Sequence, residues 1–204
     1  AGAYITNTTP TIEFQVKDTD SGVNAGTIAV TVDGTVVSTV TKTAIDGGYK
    51  CTCTSPSLKD GSHTISVKAS DNDGNAAAAK TATFTVDTVP PTLQITAPSN
   101  GLITNKKTVT VSGKTDDVSS KPVTVTVNGA TVTVGTDGTF TKDVTLAEGA
   151  NTITIVAKDK AGKTTTVTRK VTVDTSAPVI KSVTLTPNPV DCGKTFIIAV
   201  EITD

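Results

Sequence analysis

Two short segments carry the spacing of a hard-cation ligand set. Asp18-Thr19-Asp20-Ser21-Gly22 and Asp71-Asn72-Asp73-Gly74-Asn75 each place two carboxylates one residue apart, with a glycine close by. Alternate positions in a turn direct side chains towards one point. Calcium takes roughly six to eight oxygen ligands and tolerates irregular geometry. Asp18, Asp20, Asp71 and Asp73 are therefore candidate calcium ligands. The same residue types also build ordinary turns, in which Asp, Asn and Gly satisfy their own backbone. Other chemistry has little to draw on. The one histidine, His63, stands where a second copy of the surrounding sequence has Asn151, which suits a polar turn residue better than a catalytic base. No nucleophile-elbow, phosphate-loop, dinucleotide or zinc pattern occurs in the sequence. Cys51 and Cys53 fall on one expected strand, on the face of Tyr49. Their Cα atoms would lie roughly 6.5–7 Å apart in extended backbone, at or past the reach of a disulfide. They read as small buried thiols, with a metal pair involving His63 as the sharper alternative. Cys192 belongs to a later segment.

The elements that must position these residues come from an internal repeat. Val86-Asp87-Thr88-Val89-Pro90-Pro91 returns as Val173-Asp174-Thr175-Ser176-Ala177-Pro178. Upstream, Leu58-Lys59-Asp60-Gly61-Ser62-His63-Thr64-Ile65 aligns with Leu146-Ala147-Glu148-Gly149-Ala150-Asn151-Thr152-Ile153. Ala69-Ser70-Asp71-Asn72-Asp73-Gly74-Asn75 aligns with Ala157-Lys158-Asp159-Lys160-Ala161-Gly162-Lys163. A period of about 90 residues is a whole small β-domain and too long for a solenoid turn. The repeat divides the chain into a module over 1–88, a second over 89–175, and the opening of a third over 176–204.

Composition says which kind of domain. The 204 residues include 44 Thr and 27 Val. Both are β-branched and favour pleated, half-buried surfaces. Val109 and Val111, then Val123, Val125 and Val127, then Ile153 and Ile155, alternate with polar residues. That period marks strands with one face on a core and one in water. Asp33-Gly34, Asn128-Gly129 and Asp137-Gly138 point to hairpins. The fold class is all-β, an array of antiparallel β-sandwiches. In the second module strands are expected over 92–103, 108–113, 122–127, 131–134, 139–146, 151–157 and 164–173. Phe14, Phe84, Phe140 and Phe196 read as core. With a net charge of -1, no field draws in nucleic acid or an anionic membrane surface. No apolar run approaches the ~20 residues of a membrane helix.

Leu-x-Asp/Glu-Gly-x-x-Thr-Ile, then Ala-x-Asp-x-x-Gly-Asn/Lys, then Val-Asp-Thr-x-x-Pro resembles the bacterial immunoglobulin-like repeats. Such repeats occur in tandem in surface adhesins, multidomain secreted enzymes and phage tail proteins. The resemblance covers both full modules and the start of the third. It implies Greek-key sandwiches, with the second and sixth-strand loops at the end where each domain's chain enters. Asp116, Asp117 and Asp159 of the second module should then face Asp87 at the exit of the first. These four are candidate ligands of a calcium ion shared across the junction. Asp174 should likewise face Asp204 of the third module.

The expectation for function is a non-catalytic spacer array that extends and presents other domains on a cell surface or a phage tail, outside the cytoplasm. Its partners are the neighbouring modules of a longer chain. A surface-glycan or host-surface adhesion module is the alternative, weakened by the absence of Trp. Accessory domains of a secreted carbohydrate-active enzyme are a third reading. Pro90-Pro91 makes the first junction short and semi-rigid without any ion. The first strand of module one reads as clipped. The segment after Pro178 reads as two strands of a third module, either continued in a longer chain or donated to a neighbouring subunit in a strand-exchange polymer.

Overall fold

The computed structural model describes residues 2–186 and 197–203. The first module holds β1 (Ala3–Ile5), β2 (Thr11–Lys17), β3 (Val23–Val32), β4 (Thr35–Val36), β5 (Thr41–Ile45), β6 (Gly48–Thr54), β7 (Gly61–Asp71) and β8 (Lys80–Val86). They form two sheets, β1-β8-β7-β3-β4 and β2-β6-β5. The second module holds β9 (Thr92–Ala97), β10 (Leu102–Thr104), β11 (Thr108–Asp116), β12 (Thr124–Val127), β13 (Ala130–Val132), β14 (Thr139–Thr145), β15 (Gly149–Lys158) and β16 (Thr164–Val173). Its sheets are β10-β16-β15-β12-β13 and β14-β11-β9. A separate antiparallel pair, β17 (Val179–Thr186) and β18 (Ile197–Thr203), follows. Asp204, Cys192 and Phe196 lie outside the described residues.

Alternation does what the period-2 pattern requires. In the second module Val109, Val111, Val125, Val127, Ile153, Ile155, Val171 and Val173 turn inward and are buried, with Phe140 among them. In the first, Val30, Val32, Ile12 and Cys53 form one cluster, and Val23, Ile28, Cys51 and Ala69 another. Both described cysteines are buried free thiols, and burial pushes each pKa up. Phe84 is buried and Phe14 half-buried.

Two turns match expectation in detail. Asp33-Gly34 and Asn128-Gly129 both occupy the left-handed region, at φ 51° and 80° and at 48° and 81°. That pair of conformations closes a two-residue hairpin whose twist suits its strands. Asp137-Gly138 is different. The strands on either side, β13 and β14, belong to opposite sheets, so this turn crosses the sandwich and joins no hairpin. The single strand expected over 92–103 is also two. Pro98, which has no ladder donor, ends β9, and β10 then pairs with β16 in the other sheet.

Candidate functional site: a carboxylate cluster between the modules

Asp87 leaves the end of β8, Asp117 follows β11, and Asp159 follows β15. One carboxylate oxygen from each lies within 4.8 Å of the other two, and all three residues are buried. The cluster therefore joins the exit of one module to two loops at the entrance of the next.

Backbone donors orient each carboxylate. Asp87 Oδ1 accepts from the Val89 amide at 3.2 Å. Asp117 Oδ1 accepts from the amides of Ser119 at 2.9 Å and Ser120 at 2.7 Å. Asp159 Oδ1 accepts from the Lys163 amide at 2.9 Å. The second oxygens of Asp87 and Asp159 are buried and have no hydrogen-bond partner. Native proteins rarely leave such groups unpaired, because desolvation without a compensating partner is costly. Burial raises the pKa of Asp87, and the charges of Asp117 and Asp159 add to the rise; the hydrogen bond from the Val89 amide opposes it. Two like charges 4 Å apart repel by about 4 kcal/mol at an effective dielectric of ~20. Among the described residues no side-chain cation answers the cluster. Lys160, the residue after Asp159, puts its ammonium over the Tyr4 ring, 5.2 Å from the centroid.

Asp116 does not join the cluster. It ends β11 on the outward face, and its carboxylate pairs with Lys121 at 2.8 Å, which holds its pKa below the ordinary carboxylate value. Asp18, Asp20, Asp71 and Asp73 do not converge into such a group among the described residues. Asp18 accepts from the Asp20 amide at 3.2 Å and the Ser21 hydroxyl at 3.1 Å. Asp71 accepts from the Asn75 amide and side-chain amide, both at 2.7 Å, and these bonds lower its pKa. Asp20 and Asp73 are exposed. The two loops nonetheless meet, because Asn72 donates to the Ser21 carbonyl at 2.8 Å.

Other parts of the junction escaped the sequence reading. Thr88 donates its amide and hydroxyl to Asp60 at 3.0–3.1 Å. Thr175 does the same to Glu148 at 2.7–2.8 Å. The acid of Leu-x-Asp/Glu-Gly thus clamps the threonine of Val-Asp-Thr, in both copies. Shared periodicity of the two motifs was the signal. His63 also differs from expectation. It is buried on β7, with Nδ1 2.6 Å from Asp33 Oδ2 and Nε2 2.8 Å from the Lys59 carbonyl. It is part of the module's interior, where a polar turn residue was expected.

Two stacked sheets per module, repeated and joined by a short proline-containing link, define the class as tandem immunoglobulin-like β-sandwiches. Comparison with known proteins agrees. Residues 2–88 match the family described as bacterial Ig-like domain, and residues 91–175 match glucodextranase domain B. Module by module, the chain is similar to bacterial immunoglobulin-like domains found in tandem. Bacillopeptidase F of Bacillus subtilis (strain 168) is 35% identical over 140 residues, which is 69% of this chain. The chain spans only 9% of that relative's length. A titin I-band fragment superposes with a TM-score of 0.51 at 13% identity, covering 89% of this chain and 65% of that one. A three-Ig titin structure in an E-to-A mutated variant gives the same score at 12% identity, again with 89% and 65% coverage. These two likenesses speak to fold alone.

Proposed function

We propose that the chain is a non-catalytic, extracellular spacer array whose first junction is stiffened by a calcium ion bound to Asp87, Asp117 and Asp159. One observation carries the reading: three buried carboxylates from two modules converge, and two of their oxygens have no partner. A divalent cation answers both the repulsion and the missing hydrogen bonds. Calcium fits better than magnesium, because ligands from three separate segments suit irregular coordination, whereas magnesium demands near-octahedral geometry. The cation binds the two modules together and thereby removes hinge freedom. Exported or virion surfaces, where calcium is abundant, are the setting this mechanism suits.

Thermal melting in millimolar calcium and in chelator tests the proposal. A cation present at about 100 times its Kd adds about 2.7 kcal/mol to the state that binds it. The expected result is a melting temperature several degrees higher in calcium, lost in Asp117→Asn. An unchanged melting curve in both media would exclude a structural site.

A second reading concerns the parent protein. The likeness to part of bacillopeptidase F and to a glucodextranase domain favours an accessory array attached to a hydrolase. The array's own role is the same in either case: it sets the distance between what lies on its two sides. Sequencing the parent gene distinguishes them, since the second reading requires a catalytic domain in the same polypeptide.

A further inference from the structure

The residue beside one of the clustered carboxylates reaches back to the other module. Lys160 follows Asp159 in the loop after β15 and is exposed. Its ammonium stands 5.2 Å from the centroid of the Tyr4 ring. Tyr4 lies in β1, opposite Thr85 of β8. The carbonyl of the next residue, Ile5, accepts the Asp87 amide at 2.9 Å. One end of the contact is therefore bonded to Asp159, and the other sits on the strand that holds Asp87. An ammonium within about 6 Å of a ring centroid is attracted by the ring's quadrupole.

The internal repeat shows that both residues depart from their counterparts. Lys160 aligns with Asn72. In the first module Asn72 donates its side-chain amide to the Ser21 carbonyl at 2.8 Å and so ties that module's own two entrance loops together. In the second module the tie passes to the Ala161 amide, which donates to Ser120 Oγ at 3.0 Å. Lys160 is thereby released to cross the junction. Tyr4 matches Ile103, since each is the middle residue of a three-residue strand running parallel to its module's last strand. Ile103 is 72% exposed, whereas Tyr4 is half-buried. The ring stands at this outward position where a lysine from the next module meets it.

Without a cation, three carboxylates within 4.8 Å of one another push the modules apart. An ion meeting an open junction must first draw its ligands together, and its apparent affinity is scaled down by the fraction of junctions already closed. We infer that Lys160 and Tyr4 form a latch across the junction, one that needs no ion and positions Asp159 against Asp87 before the cation arrives. The latch's part in ion capture rests on the calcium reading; the latch itself does not. Neither residue is a ligand, because Lys160 carries the wrong charge and Tyr4 acts through Lys160.

The test uses the full chain, with small-angle scattering in chelator and then calorimetric titration with calcium. In chelator Tyr4→Leu should widen the distribution of intermodule distances, while Tyr4→Phe, which keeps the ring, should match the parent. Lys160→Met should widen it too, and adding Tyr4→Leu to Lys160→Met should add nothing, since the two residues form one contact. Lys160 is exposed, so Lys160→Met carries this arm if Tyr4→Leu disturbs the first module. In the titration Tyr4→Leu should weaken calcium binding about two- to fivefold, the fold-change that a cation–π contact at an exposed site can supply. Tyr4→Phe should restore it. Tyr4→Leu changes no charge, so a weaker affinity reports position and not electrostatics. A parent-like distance distribution in Lys160→Met, or one in Tyr4→Phe as wide as in Tyr4→Leu, overturns the latch. Equal calcium affinity in Tyr4→Leu and the parent overturns its part in ion capture. A parent chain that takes up no calcium sinks the ion reading instead, and the chelator arm still decides the latch.

Discussion

Asp87 is 0% exposed and faces two more carboxylates, so its charge is tolerable only with help. That makes the sign of a substitution depend on the medium. In chelator, Asp159→Asn removes one repelling charge and should stabilise the junction. In calcium the same change removes a ligand and should abolish the cation's stabilisation, with a swing of roughly 1–3 kcal/mol, the scale of a buried unsatisfied polar group. Paired melting curves of the variant and parent, with crossing order, are the expected outcome. The His63–Asp33 pair gives a separate pH effect. Burial lowers the His63 pKa, but hydrogen bonds to Asp33 and the Lys59 carbonyl, with the Asp33 charge, outweigh it and leave the pKa above its ordinary 6.5. The hydrogen bonds from His63 and the Thr64 amide hold Asp33 below its ordinary 3.8. A raised histidine pKa contributes stability below 6.5 that fades as pH climbs through the folded value. A lowered aspartate pKa contributes stability above 3.8 that fades as pH falls through the folded value. The first module should therefore be most stable between those limits. His63→Asn, which copies Asn151, should flatten the loss on the neutral side in a melting-versus-pH series. Asp87, Asp117 and Asp159 were legible as a group from the repeat and the strand order. Asp116 was grouped with them because parity was not carried past the strand. Val109, Val111, Thr115 and Asp117 share the inward face, so their neighbour Asp116 must point outward. The same counting places His63 inward with Ala69.

At the scale of elements, strand existence was legible because Thr and Val alternate so regularly, whereas sheet membership was not. Nothing in the run over 92–103 says that its two halves join different sheets; Pro98 marks a break but not a change of layer. Likewise Asp137-Gly138 reads as a hairpin locally, and only packing across the sandwich reveals a crossing. That crossing is tight. A Cβ on Gly138 would collide with the Thr115 carbonyl oxygen, and φ is +83°. Gly138→Ala should cost about 1–3 kcal/mol in denaturant unfolding of the second module, the range for enforced backbone strain. Gly129→Ala serves as its control: φ is similar at +81° but no atom stands within 4 Å, so it should cost less. Arg169→Ala tests the strap over β9. Loss of its two bonds to the Ile95 and Pro98 carbonyls should destabilise the second module and speed exchange in β9 before β11.

For the molecule as a whole, the array was legible from one repeated phrase. The segment after Pro178 was legible as two strands, which pair as β17 and β18; the parallel pairing of β1 with β8 was not, because those strands lie far apart in sequence. The junction reading makes a prediction at this scale. Small-angle scattering in calcium should show a narrower distribution of intermodule distances than in chelator, and Asp117→Asn should show the broad distribution in both. The threonine clamps should be indifferent to calcium, since Thr88–Asp60 and Thr175–Glu148 each close within one module. The parallel pairs β1–β8 and β10–β16 bear on another property. In each module a strand near the entrance runs beside the last strand in the same direction. Tension on the two ends of the polypeptide drags these neighbours past each other lengthwise and does not peel them apart. The ladder bonds between them are then loaded together and must fail together. An array so wired resists pulling through the height of its unfolding barrier, whatever its equilibrium stability, and holds its length under drag for as long as that barrier lasts.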